Sequence, residues 1–155
     1  MTPILILIGV GILIYFLNES GGFAMTDQSE KISGIYDLGT LKGLAKSYAE
    51  QNGLEAALVF AIIKHESNWN PSAVNPSDPS YGLMQLNAHY FGIVTDPSEN
   101  LRIGCQLLGN LMSRYDMNTA IQMYNAGEQG FLNGVRVPAY LADVLKWYAY
   151  YQVNG

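Results

Sequence analysis

Leu54-Glu55-Ala56-Ala57-Leu58-Val59-Phe60-Ala61-Ile62-Ile63-Lys64-His65-Glu66 is the stretch whose reading decides how this chain folds. From Ala56 to Ile63 no side chain is polar, and a run of that length at 3.6 residues per turn covers every face of a helix. A helix that is apolar all round has no side to offer to water, so it belongs in the middle of a domain with other helices packed around it. Its end has a different character. Glu66 follows Ile63, Ile62 and Val59 at spacings of three, four and seven, so its carboxyl emerges beside hydrocarbon. Desolvation disfavours the carboxylate anion, and the negative end of the helix dipole repels it. Both effects keep a carboxyl protonated toward neutrality, as a general acid requires. A glutamate at a helix end is nevertheless most often an ordinary surface residue, so the assignment needs company.

The flanking sequence supplies further helices. Before the central stretch, Leu41, Leu44, Ala45 and Tyr48 recur at helical spacing after Thr40, and Asn52-Gly53 closes the element with C-cap chemistry. After it, Asp96-Pro97-Ser98-Glu99 reads as a helix start, with Asp96 as N-cap, Pro97 in the first turn and Glu99 as the capping-box acid. The stripe of that helix is Leu101, Cys105, Leu108, Met112 and Tyr115, which makes the lone cysteine a core residue rather than a redox centre. Short helices are expected after Asn118 and after Pro138, separated by a glycine-containing loop from Gly127 to Arg136. No stretch reads as a β-hairpin, so the fold class is all-α, with minimal or no β structure.

The N-terminus is another material. The first seventeen residues, ending in Tyr15-Phe16-Leu17, carry no charge and would make about 25 Å of helix, close to the thickness of a bilayer core. The expectation is a transmembrane anchor over residues 1–17, with a flexible tether over 18–39 and a folded domain over 40–152. A cleaved signal peptide is the competing reading, because Gly22-Phe23-Ala24 offers small residues at a cleavage spacing; no basic residue precedes Lys31, which favours the anchor. The chain has 155 residues, a net charge of −5 and no run of Lys and Arg, so nucleic acid is not an expected partner. His65 and His89 are the only histidines and no Cys or carboxylate joins them at ligand spacing; no metal and no cofactor is expected.

Three segments give Glu66 its company: His65-Glu66-Ser67-Asn68-Trp69-Asn70-Pro71, Tyr81-Gly82-Leu83-Met84-Gln85-Leu86, and Ala120-Ile121-Gln122-Met123-Tyr124-Asn125-Ala126-Gly127. In order and spacing they resemble the signature segments of the soluble-type lytic transglycosylases (SLT domain), members of the lysozyme-like superfamily related to goose-type lysozyme. Tyr140, followed by Leu141 and Val144, is similar to the family's late tyrosine segment. The resemblance covers roughly residues 40 to 152. It implies a lysozyme-like helical fold, with Glu66 as the acid/base and Ser67 helping to fix the helix end. Met84 and Gln85 would touch the sugar, Tyr124 and Asn125 would floor the cleft, and Tyr140 would stand near the acid. Where many members carry a serine nine residues after the acid, this chain has Asn75. An amide can donate to the same substrate oxygen but cannot relay a proton.

The activity implied is cleavage of the MurNAc–GlcNAc β-1,4 bond of peptidoglycan with a single carboxylic acid. Ordinary glycosidases use two. Of the possible seconds, Asp96 reads as a helix cap, Asp116 falls in the turn before Asn118, and Asp78 lies in the loop from Asn75 to Ser80. In the family the substrate's own N-acetyl group stabilises the cationic centre, and its 6-hydroxyl closes a 1,6-anhydro ring. The implied location is membrane-anchored, facing the wall on the extracytoplasmic (periplasmic) side, or a virion membrane if the gene is viral. The rivals are a lysozyme-like hydrolase of the same bond, a catalytically dead peptidoglycan-binding module, and a structural membrane protein of a secretion machine or virion.

Overall fold

The structure, a computed structural model, describes residues 36–155 in full and, ahead of them, only Ile4–Ile8, Gly11–Leu17 and Phe23–Ala24. The chain divides into two compact units, residues 1–36 and 37–155. In the first, β1 (Ile4–Ile8) pairs antiparallel with β2 (Gly11–Leu17), Ile8 opposite Gly11, and β2 pairs with β3 (Phe23–Ala24). The expectation here is a transmembrane helix over 1–17; among the described residues no helix is long and apolar enough to cross a membrane. Isoleucines at 4, 6, 8, 12 and 14 are β-branched and favour extended backbone, while Gly9 and Gly11 would weaken a helix at its middle. Most of the expected tether over 18–39 lies outside the described residues.

The second unit is helical. Its order is α1 (Leu38–Gln51), α2 (Ala56–Ser67), three two-residue strands β4 (Val74–Asn75), β5 (Ser80–Tyr81) and β6 (Leu86–Asn87), then α3 (Ala88–Phe91), α4 (Pro97–Met112), α5 (Met117–Ala126), α6 (Glu128–Leu132) and α7 (Pro138–Asn154). Four of these helices begin on an Asp or Asn whose side chain accepts a backbone N–H of the first turn: Asp37 from Thr40, Asn87 from His89, Asp96 from Glu99 and Asp116 from Thr119. α1 therefore opens at Leu38, two residues ahead of the start expected at Thr40. The helix after Pro138 is not short; at seventeen residues it is the longest in this unit. α6 falls where a plain loop was expected.

α2 is the axis. Leu58 through Ile63 are consecutive and all buried, with α7 and α1 packed along the helix. Leu101, Cys105 and Leu108 of α4 are fully buried, as their stripe predicts, and burial pushes the Cys105 thiol up to about 12. β4, β5 and β6 form a small antiparallel sheet, Asn75 opposite Ser80 and Tyr81 opposite Leu86. This corrects the expectation of no hairpin. Strands of two residues carry no period-2 alternation, so nothing in the sequence announces them.

Candidate functional site

Glu66 sits in the last turn of α2, and the chain beyond it is pinned. The Ser67 hydroxyl donates to the Ile63 carbonyl at 3.1 Å, and Asn68, in the left-handed conformation (φ 51°), caps the helix by donating its N–H to Lys64 at 3.2 Å. Trp69 is left-handed too (φ 65°), and two such non-glycine residues in succession are strained. The strain is held by the fold: the Trp69 indole donates to the Tyr151 hydroxyl at 3.0 Å and packs edge-on against Phe60 of α2. A rigid end to α2 fixes where the Glu66 carboxyl points.

The second wall grows from the small sheet. Gly82 (φ 76°) and Gln85 (φ 47°) turn the chain between β5 and β6, and the Gln85 amide donates to the carbonyls of Gly82 at 2.9 Å and Ala73 at 3.2 Å. The turn is built around Asn100 of α4, a fully buried polar side chain. Its Oδ1 accepts the Met84 N–H at 2.8 Å, and its Nδ2 donates to the carbonyls of Tyr81 at 2.8 Å and Val94 at 3.2 Å. A Cβ on Gly82 would stand 2.5 Å from that Nδ2, so the position excludes every residue with a side chain. Met84 is itself fully buried, its sulfur against Gly104 of α4, where a Cβ would meet it at 2.4 Å.

The remaining parts come from α5 and α7. The Tyr124 hydroxyl donates to the Met84 carbonyl at 2.8 Å, tying α5 to the turn. At the start of α7, the Val137 N–H donates to the Gln122 side-chain oxygen at 3.3 Å. One turn later the Tyr140 hydroxyl donates to Glu66 Oε1 at 2.7 Å. The helix pair is also joined by His65 Nδ1 and Asp143 Oδ2, 2.7 Å apart, with the His65 ring edge-on to Tyr140.

Burial raises the affinity of the Glu66 carboxyl for its proton, and this outweighs the Tyr140 hydrogen bond and the nearby His65 ring, both of which favour the anion. The raised direction matches the expectation from sequence; the opposing tyrosine is an addition of the structure. Burial also pushes the Tyr140 and Tyr124 phenols well above their ordinary range, further still beside Glu66, so both remain donors. The result is a carboxyl that keeps its proton more readily than an exposed glutamate and has a partner ready for its anion.

Glu66, Asn75, Gln85, Tyr124 and Asn125 line one cleft of about 680 Å³, a size suited to a bound ligand. Of the other residues singled out from sequence, Tyr140 reaches Glu66 while being itself buried, Ser67 turns to its own helix, and Met84 packs in the core and offers its carbonyl to Tyr124. Asp96 and Asp116 are helix caps. Asp78 lines the cleft, its carboxylate taking the Asn87 amide, and so does Glu128, which sequence reasoning passed over. Both Glu128 oxygens are engaged by Arg114, one of them also by the Tyr115 hydroxyl, which holds its carboxyl below the usual range. Tyr90 and Phe91 on the rim were also missed; they lie just beyond the second signature segment, outside any recognised pattern. Among the described residues no cluster of His, Cys, Asp or Glu could hold a metal ion.

A helical domain with a half-buried carboxyl at the tip of its central helix, facing a cleft walled by a small sheet, is a lysozyme-like architecture. Residues 43–136 match the family described as the Transglycosylase SLT domain, and the chain belongs to that family. Membrane-bound lytic murein transglycosylase C of Yersinia enterocolitica is 33% identical over 88 residues, covering 46% of this chain and 24% of that protein. Membrane-bound lytic murein transglycosylase F of Serratia proteamaculans is 32% identical over 105 residues, covering 64% and 21%. The chain thus spans about a quarter of the length of the curated relatives it matches. Among solved structures, an inactive mutant of the lytic transglycosylase Slt of Pseudomonas aeruginosa superposes with a TM-score of 0.60 at 23% identity, covering 73% of this chain and 24% of that one. This likeness bears on the fold alone.

Proposed function

We propose that this chain is a peptidoglycan lytic transglycosylase that cleaves the MurNAc–GlcNAc β-1,4 bond with Glu66 as its one catalytic residue. The observation that carries the reading is the Glu66 carboxyl, raised toward its protonated form by burial and bonded to Tyr140 on the wall of a ligand-sized cleft. In the first step Glu66 protonates the glycosidic oxygen as the bond breaks, and the muramyl N-acetyl oxygen stabilises the cationic carbon. Glu66 is then an anion, and the Tyr140 hydroxyl, already donating to Oε1, steadies it. In the second step Glu66 takes the proton of the sugar's 6-hydroxyl as that oxygen closes on the anomeric carbon. The acid is regenerated, the product is a 1,6-anhydro sugar, and no water is consumed. Asn125 presents its amide to the sugar and Asn75 does so in place of a serine; Gln85, whose amide N–H groups are held by the Gly82 and Ala73 carbonyls, has its side-chain oxygen left as an acceptor, and Tyr124 supports the floor. In this reading the domain over 40–152 acts on the extracytoplasmic face, at the wall; its relatives' names describe membrane-bound enzymes.

One observation favours a second reading. Asp78 lines the same cleft, and a second carboxylate could activate water, making the chain a hydrolase. The experiment is digestion of purified cell walls, with mass spectrometry of the released muropeptides. A lytic transglycosylase gives anhydro ends lighter by one water, and Glu66→Gln abolishes clearing. Reducing ends instead select the hydrolase, and undiminished clearing by Glu66→Gln rejects both.

A further inference from the structure

Three large apolar side chains stand in water within four residues: Tyr90 is 77% exposed, Ile93 68% and Phe91 37%. Single exposed apolar residues need no explanation, but a cluster at the mouth of a cleft does. Tyr90 and Phe91 line the same cleft as Glu66. They ride on α3, whose base is fixed: the His89 N–H donates to Asn87 Oδ1 at 2.9 Å, the Ala88 N–H to the Pro79 carbonyl at 2.8 Å, and the Asn87 amide to Asp78. The Tyr90 ring meets His89 at 5.0 Å between centroids and Phe91 at 6.5 Å, both steeply inclined. Aromatic side chains have only two rotatable angles, and these rings touch their neighbours, so binding against them forfeits little side-chain freedom.

The chemistry around the pair identifies what it fits. A pyranose has a face of C–H groups and a rim of hydroxyls and amides; an aromatic surface serves the face, and Asn75, Ser80 and Asn87 in the same lining serve the rim. No Lys or Arg lines the cleft, so there is no cation to hold the phosphate of a lipid headgroup or nucleotide. We propose that Tyr90 and Phe91 are a stacking platform for a sugar ring of the glycan strand, setting affinity for the strand rather than the rate of bond cleavage. The inference rests on the peptidoglycan reading above.

The test is calorimetric titration of the full chain, in the Glu66→Gln background, with a hexasaccharide of alternating GlcNAc and MurNAc. Tyr90→Ala is expected to raise Kd about five- to tenfold and Phe91→Ala about two- to fivefold, while Tyr90→Trp stays within about twofold of the parent. In the active chain Tyr90→Ala raises KM by a similar factor with kcat held within about twofold. A Tyr90→Ala protein with the parent's melting temperature and an unchanged Kd overturns the platform. So does unchanged glycan binding combined with weaker sedimentation on phosphatidylglycerol–phosphatidylethanolamine vesicles, which would assign the pair to a lipid surface. Failure of the underlying reading looks different: the Glu66→Gln parent itself does not bind the hexasaccharide and the active chain does not cut walls.

Discussion

Replacing Asn100 by Ala tests whether one buried amide holds the cleft's second wall together. The side chain is fully buried and makes three hydrogen bonds, one accepted from the Met84 N–H and two donated to the Tyr81 and Val94 carbonyls. Truncation leaves an N–H and two carbonyls without that partner. A buried backbone group deprived of its partner costs about 1–3 kcal/mol, more for an N–H than for a carbonyl with a second lone pair. The longest of the three bonds, 3.2 Å to Val94, contributes least. Only the Met84 bond is fully buried; the two carbonyl bonds are part-buried, where water replaces most of what is lost, so the sum is about 2–4 kcal/mol, a large share of the roughly 5–15 kcal/mol that holds a typical domain folded. Urea unfolding followed by tryptophan fluorescence measures it: the midpoint should fall with the slope unchanged. Asn100→Asp sharpens the test by keeping the acceptor for Met84 while turning the donor into an anion facing two carbonyls. It should be at least as damaging at neutral pH and recover partly in acid, where a protonated carboxyl can donate again. A loss under about 1 kcal/mol for Asn100→Ala with normal cooperativity would refute the claim that this residue organises the turn.

Tyr140→Phe removes the one hydroxyl bonded to Glu66. A hydrogen bond to a charged group is worth about 1.5–3 kcal/mol, so the anion is destabilised and the basic limb of kcat/KM against pH should move upward by about one pH unit or more, with kcat reduced; a limb that stays or moves down is the contrary result. Glu66→Gln should stabilise the fold at neutral pH. Because burial raises the folded-state pKa, the native protein loses stability as pH rises from the unfolded value near about 4, and below that value both states are protonated and the difference vanishes. Melting curves at acid and neutral pH check the sign.

The sequence exposed α2 and its acid because an all-apolar helix ending in a glutamate is a pattern local to thirteen residues. It exposed the start of α4 for the same reason, although the Glu99 carboxylate bonds Arg102 rather than closing the capping box. What stayed hidden depends on distance along the chain. Asn100 next to Glu99 looks like another polar residue in a first turn, and only the fold reveals that it faces Met84 sixteen residues away. Gln85 acts from a left-handed backbone position that composition does not encode. At the N-terminus a run of Ile and Leu satisfied two templates at once, and length argued for the helix while β-branching and glycine argued for strands.

The bond between Tyr140 and Glu66 joins residues 74 positions apart, on the last helix and the second of this unit. Until α7 has docked against α2, the glutamate has neither its apolar shelter nor its phenol and titrates like any carboxyl in water. An unfolded or half-assembled chain therefore carries no primed acid. If Glu66 is the acid proposed above, the ability to cut a strand belongs to the assembled helix pair and not to any shorter piece of the chain.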